Sequence, residues 1–186
     1  MSKGTLLVIS GPSGVGKTTI AKKLREAGIP KVMTTTTRAP RGTEKNGVEY
    51  RFLTRQEFQD EIQRGSFLEW AEIDGNLYGT PKERIEQELA SRPLVLVDID
   101  TQGAATLRKM GVPALFLFIA PPDMAELTKR LTGRNTESPE AVKMRLARAE
   151  REMAQKDSYD AVVVNSTVEQ AVDEILKLVR ARNLLS

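Results

Sequence analysis

Continuous apolar runs alternate with amphipathic segments along most of the chain. The apolar runs are rich in Leu, Val, Ile and Phe, and they occupy residues 5–10 (TLLVIS), 94–100 (LVLVDID), 114–120 (ALFLFIA) and 161–165 (AVVVN). Such runs are typical of parallel strands buried on both faces of a sheet. The segments between them carry helical periodicity, most clearly at residues 17–28, 122–131 and 140–155. This alternation predicts an α/β fold, a doubly wound parallel sheet flanked by helices.

The stretch from residue 34 to 86 breaks this rhythm. Residues 48–52 (VEYRF) and 67–73 (FLEWAEI) alternate apolar and polar positions, as half-buried strands do, and a DGN turn follows the second. We therefore expect one domain over residues 1–186, with a core of residues 1–33 and 87–186. Residues 34–86 form an inserted α+β lobe in this prediction.

Capping signals locate the helix starts. Thr54 with Glu57, and Thr80 with Glu83, each match a capping box, and Pro81 would fill the first helical position of the second box. Ser166 with Glu169 predicts the start of the last helix, and a Ser-Pro pair at 138–139 predicts the start of the helix before it. The inward-facing positions of these last two helices are predicted to be Val142, Leu146, Ala149 and Met153, and then Val168, Val172, Ile175 and Val179.

The composition narrows the chemistry. The 186 residues include no cysteine and no histidine, and the formal net charge is only +3. Disulfides, Cys/His zinc sites and imidazole catalysis are therefore excluded, and a clustered basic surface for nucleic acid is not expected. The apolar runs are too short for a membrane span, and the first residues do not form a signal peptide, so we expect a cytoplasmic protein.

A phosphate-binding loop follows the first apolar run. Residues 11–18 (GPSGVGKT) fit the pattern G-x-x-x-x-G-K-[ST] and stand between a predicted strand and a predicted helix. Backbone N–H groups of such a loop point at phosphate oxygens, and the helix N-terminus adds its dipole. Lys17 would reach the β- and γ-phosphates, and the Thr18 hydroxyl would bind Mg²⁺. The predicted ATP-binding residues of this segment are Gly11, Pro12, Ser13, Gly14, Val15, Gly16, Lys17, Thr18 and Thr19.

A carboxylate near the metal is also required. Asp98 ends the second apolar run, where a strand beside the first would deliver it to Mg²⁺, although an Asp at this point can also cap a helix. Residues 100–103 (DTQG) match the D-x-x-G element of GTPases. Because no Asn-Lys-x-Asp motif is present, we do not favour a switch GTPase.

A second anion site is predicted in the inserted lobe. Arg38 and Arg41 flank Pro40, which restricts the local backbone, and guanidinium groups suit phosphate oxygens. Tyr50 and Tyr78 offer hydroxyls in the same lobe. Considered alone, the two arginines would be interpreted as part of a solvated loop. The prediction of an anion site therefore depends on the rest of the chain.

The chain resembles the guanylate kinase family in a series of motifs. They are SGPSGVGKTT, TTRAPR with NGVEYRF, FLEWAEIDGNLYGTP, DIDTQGA, APPDMAELTKRLTGRNT and VVVN, in that family's order and spacing, over about residues 5–180. The resemblance implies phosphoryl transfer from MgATP to GMP, giving ADP and GDP, and dGMP as a further acceptor. It also implies a P-loop fold whose inserted lobe binds GMP and whose short lid spans about residues 131–148.

The resemblance further implies roles for individual residues. Arg38, Arg41, Tyr50 and Tyr78 would hold the GMP phosphate, and Thr34, Glu69, Thr80 and Asp100 would read the guanine, with Asp98 and Asp100 able to exchange roles between metal and base. The residues implied to act on the transferring phosphoryl group are Lys17, Arg38, Arg130, Arg134 and Arg145. Arg134 would also contact ATP, and Asn165 would lie near the adenine.

Residue chemistry is consistent with a guanine site at Glu69. Guanine presents N1–H and N2–H₂ donors, which one carboxylate can accept together, whereas adenine presents a lone pair at N1. An outward polar position on a strand is the competing interpretation of Glu69. The chain departs from the family at Thr34, where Ser is usual, at Asn135, where Gly is common in the lid, and at Ser166, where Asp is usual.

Two alternatives stay open from the sequence. The first is a catalytically inactive guanylate-kinase-like module that binds a protein, although the intact P-loop and the lid arginines argue against it. The second is a kinase for another monophosphate or a phosphorylated sugar, against which Glu69 argues. ATP and GMP are the expected partners, Mg²⁺ is the expected cofactor, and no nucleic acid, membrane or obligatory protein partner is expected.

Overall fold

The computed structural model describes residues 4–132 and 139–185, without the side chains of Pro139 and Ala141. The strands in these ranges are β1 (Thr5–Ser10), β2 (Thr35–Thr36), β3 (Arg51–Phe52), β4 (Phe67–Ile73), β5 (Asn76–Pro81), β6 (Leu94–Asp98), β7 (Ala114–Ala120) and β8 (Ala161–Val164). The α-helices are α1 (Lys17–Glu26), α2 (Arg55–Gln63), α3 (Lys82–Ser91), α4 (Thr101–Lys109), α5 (Met124–Thr132), α6 (Pro139–Met153) and α7 (Val168–Ala181). A 3₁₀ turn spans Lys156–Ser158.

The first sheet is parallel throughout and has the order β6-β1-β7-β8. Strand β1 is buried on both faces: Leu7 and Ile9 join the apolar cluster formed with α1 and α7, and Leu6 and Val8 join the cluster on the opposite face. This explains why the strand reads as a continuous apolar run rather than as an alternating one. The predicted α/β fold with helices on both faces is confirmed. The prediction that the fourth apolar run is buried on both faces is wrong: β8 lies at the edge of the sheet, and Val162 and Val164 are exposed.

The second sheet has the order β3-β2-β5-β4 and is mixed. Strands β2 and β3 are parallel, whereas β5 pairs antiparallel with both β2 and β4. Helix α2 covers this sheet through Phe58, which stacks on Phe67 at 4.4 Å between ring centroids. Of the predicted strand 48–52, only Arg51–Phe52 is extended in a ladder, because residues before it form turns held by Asn46.

The capping predictions have mixed outcomes. The Thr54–Glu57 box is present, with Glu57 N–H donating to Thr54 Oγ1 at 3.2 Å and Thr54 N–H donating to Glu57 Oε2 at 2.8 Å. The Thr80–Glu83 box is wrong: strand β5 continues to Pro81, and Pro81 is the N-cap of α3 without any side-chain cap. The hydroxyl of Thr80 is engaged elsewhere, as described below.

The predicted cap of the last helix is displaced by one residue. Thr167, and not Ser166, is the N-cap of α7, and its hydroxyl accepts from Gln170 N–H at 3.2 Å. The predicted inward stripe of α7 is broadly confirmed, with Ile175 and Val179 fully buried, but Ala171 is buried where Val168 and Val172 are only partly so.

Helix α6 differs from its predicted apolar stripe. Ala149 is fully buried and Leu146 packs beside it against α5, but Val142 and Met153 are only half-buried. Glu152 is buried instead, with 4% of its surface exposed. Its environment is polar because this face of α6 looks toward the cleft described next. The predicted cap at Ser138 lies outside the described residues.

Candidate active site

The loop between β1 and α1 has the geometry of a phosphate cradle. Gly16 is the N-cap of α1 at φ 98° and supplies no side-chain cap, so the first-turn amides are left for a ligand. A Cβ at Gly16 would lie 2.6 Å from Asn165 Nδ2, and one at Gly11 would collide with the Ile119 carbonyl. Glycine is therefore required here both for the left-handed backbone and for the close approach of neighbouring segments.

The side chain of Lys17 contacts the backbone of its own loop. Its ammonium donates to the carbonyls of Gly11 at 2.6 Å and Pro12 at 3.0 Å. Burial lowers the pKa of Lys17, while the negative charges of Asp98 and Glu152 act in the opposite direction. A phosphate group in the loop would replace these carbonyl acceptors with stronger anionic ones.

Thr18 and Asp98 form a pair of hard oxygen ligands at the edge of the loop. The Thr18 hydroxyl donates to Asp98 Oδ2 at 3.4 Å, and the ammonium of Lys31 lies 3.8 Å from the same oxygen. Among the described residues no cluster of three or more Asp, Glu, His or Cys side chains could hold an ion alone. Mg²⁺ in kinases is commonly bound by few protein oxygens together with substrate phosphates and water, so this pair fits the metal.

Arg38 and Arg41 converge on an acidic residue that the sequence analysis did not single out. The Arg38 guanidinium donates to both carboxylate oxygens of Glu44, at 2.9 and 3.1 Å, and Arg41 N–H donates to Glu44 Oε2 at 2.8 Å. The Arg38 guanidinium also lies over the Tyr50 ring, 5.4 Å from its centroid. The Arg38 side chain is thus held in place and largely buried, so the solvated-loop interpretation is wrong for Arg38. Arg41 is exposed, as that interpretation predicts.

Tyr50 and Tyr78 stand beside these arginines, with their rings edge to face at 6.4 Å. Burial raises the pKa of Tyr50, so its hydroxyl stays protonated and can donate to an anion.

Glu69 is a buried carboxylate, with 5% of its surface exposed. Thr80, opposite it across the β4–β5 ladder, donates its hydroxyl to Glu69 Oε1 at 2.5 Å. The pKa of Glu69 is raised to about 7: burial is the main cause, the Thr80 hydrogen bond opposes it, and the charge of nearby Asp100 adds to it. The reading of Glu69 as an outward polar residue is therefore wrong.

Asp100 lies close to Glu69 from the other side. It is the N-cap of α4, with Oδ1 accepting from Gly103 N–H at 2.9 Å, while the buried Oδ2 has no hydrogen-bond partner. A Cβ at Gly103 would fall 2.5 Å from Glu69 Oε2 and 3.3 Å from Asp100 Oδ1. The two carboxylates thus border the same small volume.

One cleft of about 490 Å³ joins the loop and the carboxylate pair. The predicted site residues that line it are Gly11, Ser13, Gly14, Gly16, Lys17, Thr18, Thr19, Thr34, Arg38, Arg41, Tyr50, Glu69, Tyr78, Asp98 and Asp100. Residues that are far apart in the sequence, from the two sheets, from α1 and from the N-cap of α4, therefore face the same space.

Other predicted residues are not among those that line the cleft. Arg130 donates to the Asn165 carbonyl at 3.1 Å and forms an ion pair with Glu126. The side chain of Asn165 donates to the Val15 carbonyl at 2.7 Å beneath the loop. Arg145 donates to Ser13 Oγ at 2.7 Å. Pro12, Val15 and Thr80 are also outside the lining set, and Arg134 and Asn135 lie outside the described residues.

Four charged residues of this region were missed by the sequence analysis. Glu44 forms an ion pair with Arg38, and Lys31 forms one with Asp98. Arg148 and Glu152 on α6 line the cleft. Arg148 and Glu152 are spaced i, i+4, which the sequence shows, but such a pair usually lies on a solvated helix face. Only the packing of α6 against the cleft distinguishes them from the other charges of that helix.

A P-loop between a parallel strand and a helix, in one cleft with a group of arginines and tyrosines from a second sheet, is typical of P-loop nucleotide kinases. A family model described as "Guanylate kinase" matches residues 3–182. Curated guanylate kinases from Rubrobacter xylanophilus and Dechloromonas aromatica are each 45% identical over 183 residues, which cover 97% of this chain and 95% and 91% of those relatives. The crystal structure of guanylate kinase from Anaplasma phagocytophilum superposes with a TM-score of 0.83 at 35% identity, over 100% of this chain and 89% of that one. The chain belongs to the guanylate kinase family.

Proposed function

We propose that the chain transfers the γ-phosphoryl group of MgATP to GMP, and also to dGMP, giving ADP and GDP. The family and the name shared by its curated relatives support an ATP-dependent guanylate kinase, and an inactive interaction module is not favoured. The observation that carries the proposal is the shared cleft, in which a buried carboxylate pair, Glu69 and Asp100, faces the same space as Lys17 of the P-loop.

The carboxylate pair suits guanine better than adenine. An ionised Glu69 accepts hydrogen bonds from the N1–H and N2–H₂ groups of guanine, whereas adenine would present a lone pair at N1. Since Glu69 is buried, that mismatch could not be relieved by water. A site of this kind can reject the wrong ligand by ~10⁴–10⁵-fold. Thr34 lines the cleft, and its hydroxyl is proposed to donate to O6 of guanine.

The remaining groups suit the transfer of a phosphoryl group between two anions. Arg38, Arg41, Tyr50 and Tyr78 are proposed to hold the GMP phosphate, which is largely ionised at neutral pH and needs no general base. Lys17 and the loop amides would hold the ATP phosphates. Thr18 and Asp98 would hold Mg²⁺, which neutralises charge on the β- and γ-phosphates when it is bound. Arg130, Arg134 and Arg145 are proposed to stabilise the transition state, and Asn165 to lie near the adenine.

We also propose a division of the chain into functional parts and a cellular setting. Residues 34–86 would be the GMP-binding lobe, residues 131–148 the lid, and residues 1–33 and 87–186 the core. Purine nucleotide metabolism in the cytoplasm is the proposed setting, with ATP and GMP as the partners. No helix among the described residues is long and apolar enough to cross a membrane.

The test is ADP production from MgATP with GMP, dGMP, AMP, CMP, dTMP or no acceptor. We expect turnover with GMP and dGMP and only a background rate with the others. Turnover with AMP or CMP at a comparable rate would contradict the guanine site. No turnover with any acceptor would support the interaction module.

A variant tests the role of Glu69 directly. Glu69→Ala is expected to abolish the preference for GMP over AMP, because the acceptor of the guanine donors is removed. The control is Glu72→Ala on the same strand, where the side chain is exposed and pairs with Arg55. A retained preference in Glu69→Ala would contradict the assignment of Glu69.

A further inference from the structure

Arg148 is the one cation contributed by α6 to the lining of the cleft within the described residues. Its guanidinium makes three directed contacts. Nε donates to Glu152 Oε1 at 3.0 Å, Nη1 to Asp74 Oδ1 at 3.3 Å, and Nη2 lies 3.6 Å from Asp100 Oδ2. Only 17% of the side chain is exposed. The group is therefore largely buried, where a charge is retained only with good partners.

The three partners come from different parts of the chain. Asp74 is at the turn between β4 and β5, Asp100 begins α4, and Glu152 is one helical turn beyond Arg148. Glu152 is itself 6% exposed at its side chain, so it restrains the guanidinium from within the protein. The exposed Asp74, at 62%, adds little energy but limits the direction of Nη1. The contacts with Asp74 and Glu152 therefore hold the guanidinium in place independently of Asp100.

The oxygen that Arg148 approaches is the one that the backbone of α4 does not use. Asp100 Oδ1 is used by the Gly103 amide, whereas Oδ2 is buried and has no hydrogen-bond partner in the described structure. Glu69 lies near by and carries charge of the same sign, and repulsion between the two carboxylates favours their separation. A cation beside Oδ2 opposes that separation and keeps Asp100 facing the space beside Glu69.

We propose that Arg148 is a positioning residue for the acceptor nucleotide, which holds the Asp100 carboxylate beside Glu69 so that the base-binding pair is assembled before GMP enters. This inference rests on the proposed function, because it assumes that GMP is the acceptor and that its base meets these carboxylates. Pre-assembly lowers the cost of ordering the site upon binding. Removing Arg148 should therefore weaken acceptor binding and leave ATP binding unchanged.

The experiment is steady-state kinetics of Arg148→Met and Arg148→Lys with GMP and ATP varied in turn. Met keeps most of the chain length without the charge, and Lys keeps the charge without the fork that spans three partners. We expect Arg148→Met to raise KM for GMP by about tenfold, the size of one charged contact, with KM for ATP within about twofold. Arg148→Lys should fall between Arg148→Met and the wild type. Calorimetric titration with GMP alone should give the same order.

The matched control is Arg151→Met, on the same helix, where the exposed guanidinium donates to the Ala147 carbonyl. It should leave both KM values unchanged. A merely structural role for Arg148 would lower the active fraction or the melting temperature without a selective change in KM for GMP. An unchanged KM for GMP in both Arg148 variants, an equal rise in both KM values, or the same effect from Arg151→Met would overturn the inference.

Failure of the proposed function gives a different result. In that case the wild type itself would not turn over GMP, or would prefer another acceptor. The assumption that GMP is the acceptor would then be wrong, and so would the inference about Arg148. A wild type that phosphorylates GMP, together with Arg148 variants of unchanged KM for GMP, would overturn the role of Arg148 alone.

Discussion

At the scale of single residues, burial sets the behaviour of Glu69. The side chain has one hydrogen-bond donor, Thr80, and another carboxylate near by, and burial raises its pKa to about 7. An ionised Glu69 is what a pair of guanine donors requires. The protein thus keeps a carboxylate in an environment that opposes its charge, and the ligand would supply the missing donors.

The pH dependence of stability should report this cost. The pKa of Glu69 is raised from 4.5 to about 7 on folding, so the folded state favours the protonated acid. The associated stability is present below about pH 4.5 and is lost as pH rises through 7. We expect the wild type to lose roughly 3 kcal/mol relative to Glu69→Gln between pH 4.5 and 8. Urea unfolding of both proteins across this range is the measurement, and a constant difference would contradict the prediction.

At the scale of elements, the start of a helix depends on where the backbone hydrogen bonds of the preceding strand end. After β8, the amide of Asn165 still bonds to the Ala120 carbonyl, and the amide of Ser166 bonds to Val164. The first residue free to act as a cap is therefore Thr167. Thr80 fails as a cap for a related reason, since β5 continues past it and its hydroxyl serves Glu69.

Two neighbouring substitutions test the position of the α7 cap. Thr167→Ala should lower the free energy of unfolding by about 1 kcal/mol, because the Gln170 amide loses its acceptor. Ser166→Ala is the matched control and should change it by less than about 0.5 kcal/mol, because that side chain is exposed. Chemical denaturation at fixed pH measures both values. A larger loss at Ser166 than at Thr167 would show that the helix starts one residue earlier in solution.

At the scale of the whole molecule, the site exists because α4 packs against β4. Gly103, in the first turn of α4, lies so close to Glu69 that a Cβ would be 2.5 Å from Oε2. The P-loop and α4 follow β1 and β6, which pair side by side, so the proposed phosphate and base sites lie at the same edge of the parallel sheet. Ligand sites at the carboxyl ends of parallel strands are general in such folds.

Gly103→Ala should separate acceptor binding from ATP binding. The added methyl group would displace the Glu69 carboxylate, so we expect KM for GMP to rise by about tenfold or more, while KM for ATP stays within about twofold. Gln102→Ala, at an exposed position of the same helical turn, is the control. Kinetics with each substrate varied in turn would measure the effect. Equal KM values for GMP in Gly103→Ala and the wild type would show that the helix moves aside freely.

Much of the fold could be predicted from local pattern. The buried strands β1, β6 and β7, the P-loop and the Thr54 cap depend on contacts within a few residues or on burial from both sides, and both leave a direct mark on the sequence. The apolar run of β8 was misleading, because that strand is at the sheet edge and exposes Val162 and Val164. The pairing of Arg38 with Glu44 is also local, but its signal is weak because many polar loops contain such charges. The α6 stripe was only partly predicted, since one face of that helix meets a polar cleft and not the apolar core.

The sequence alone determined the class of fold, the phosphate loop and, through the resemblance, the family, because these depend on residue types at fixed spacing. The tertiary structure decided which polar residues share one volume. It brought Thr80 to Glu69, Gly103 to Glu69 and Arg148 to Asp100, across 11 to 48 positions of chain. Such contacts follow from the packing of sheets and helices against each other, and no local periodicity records them.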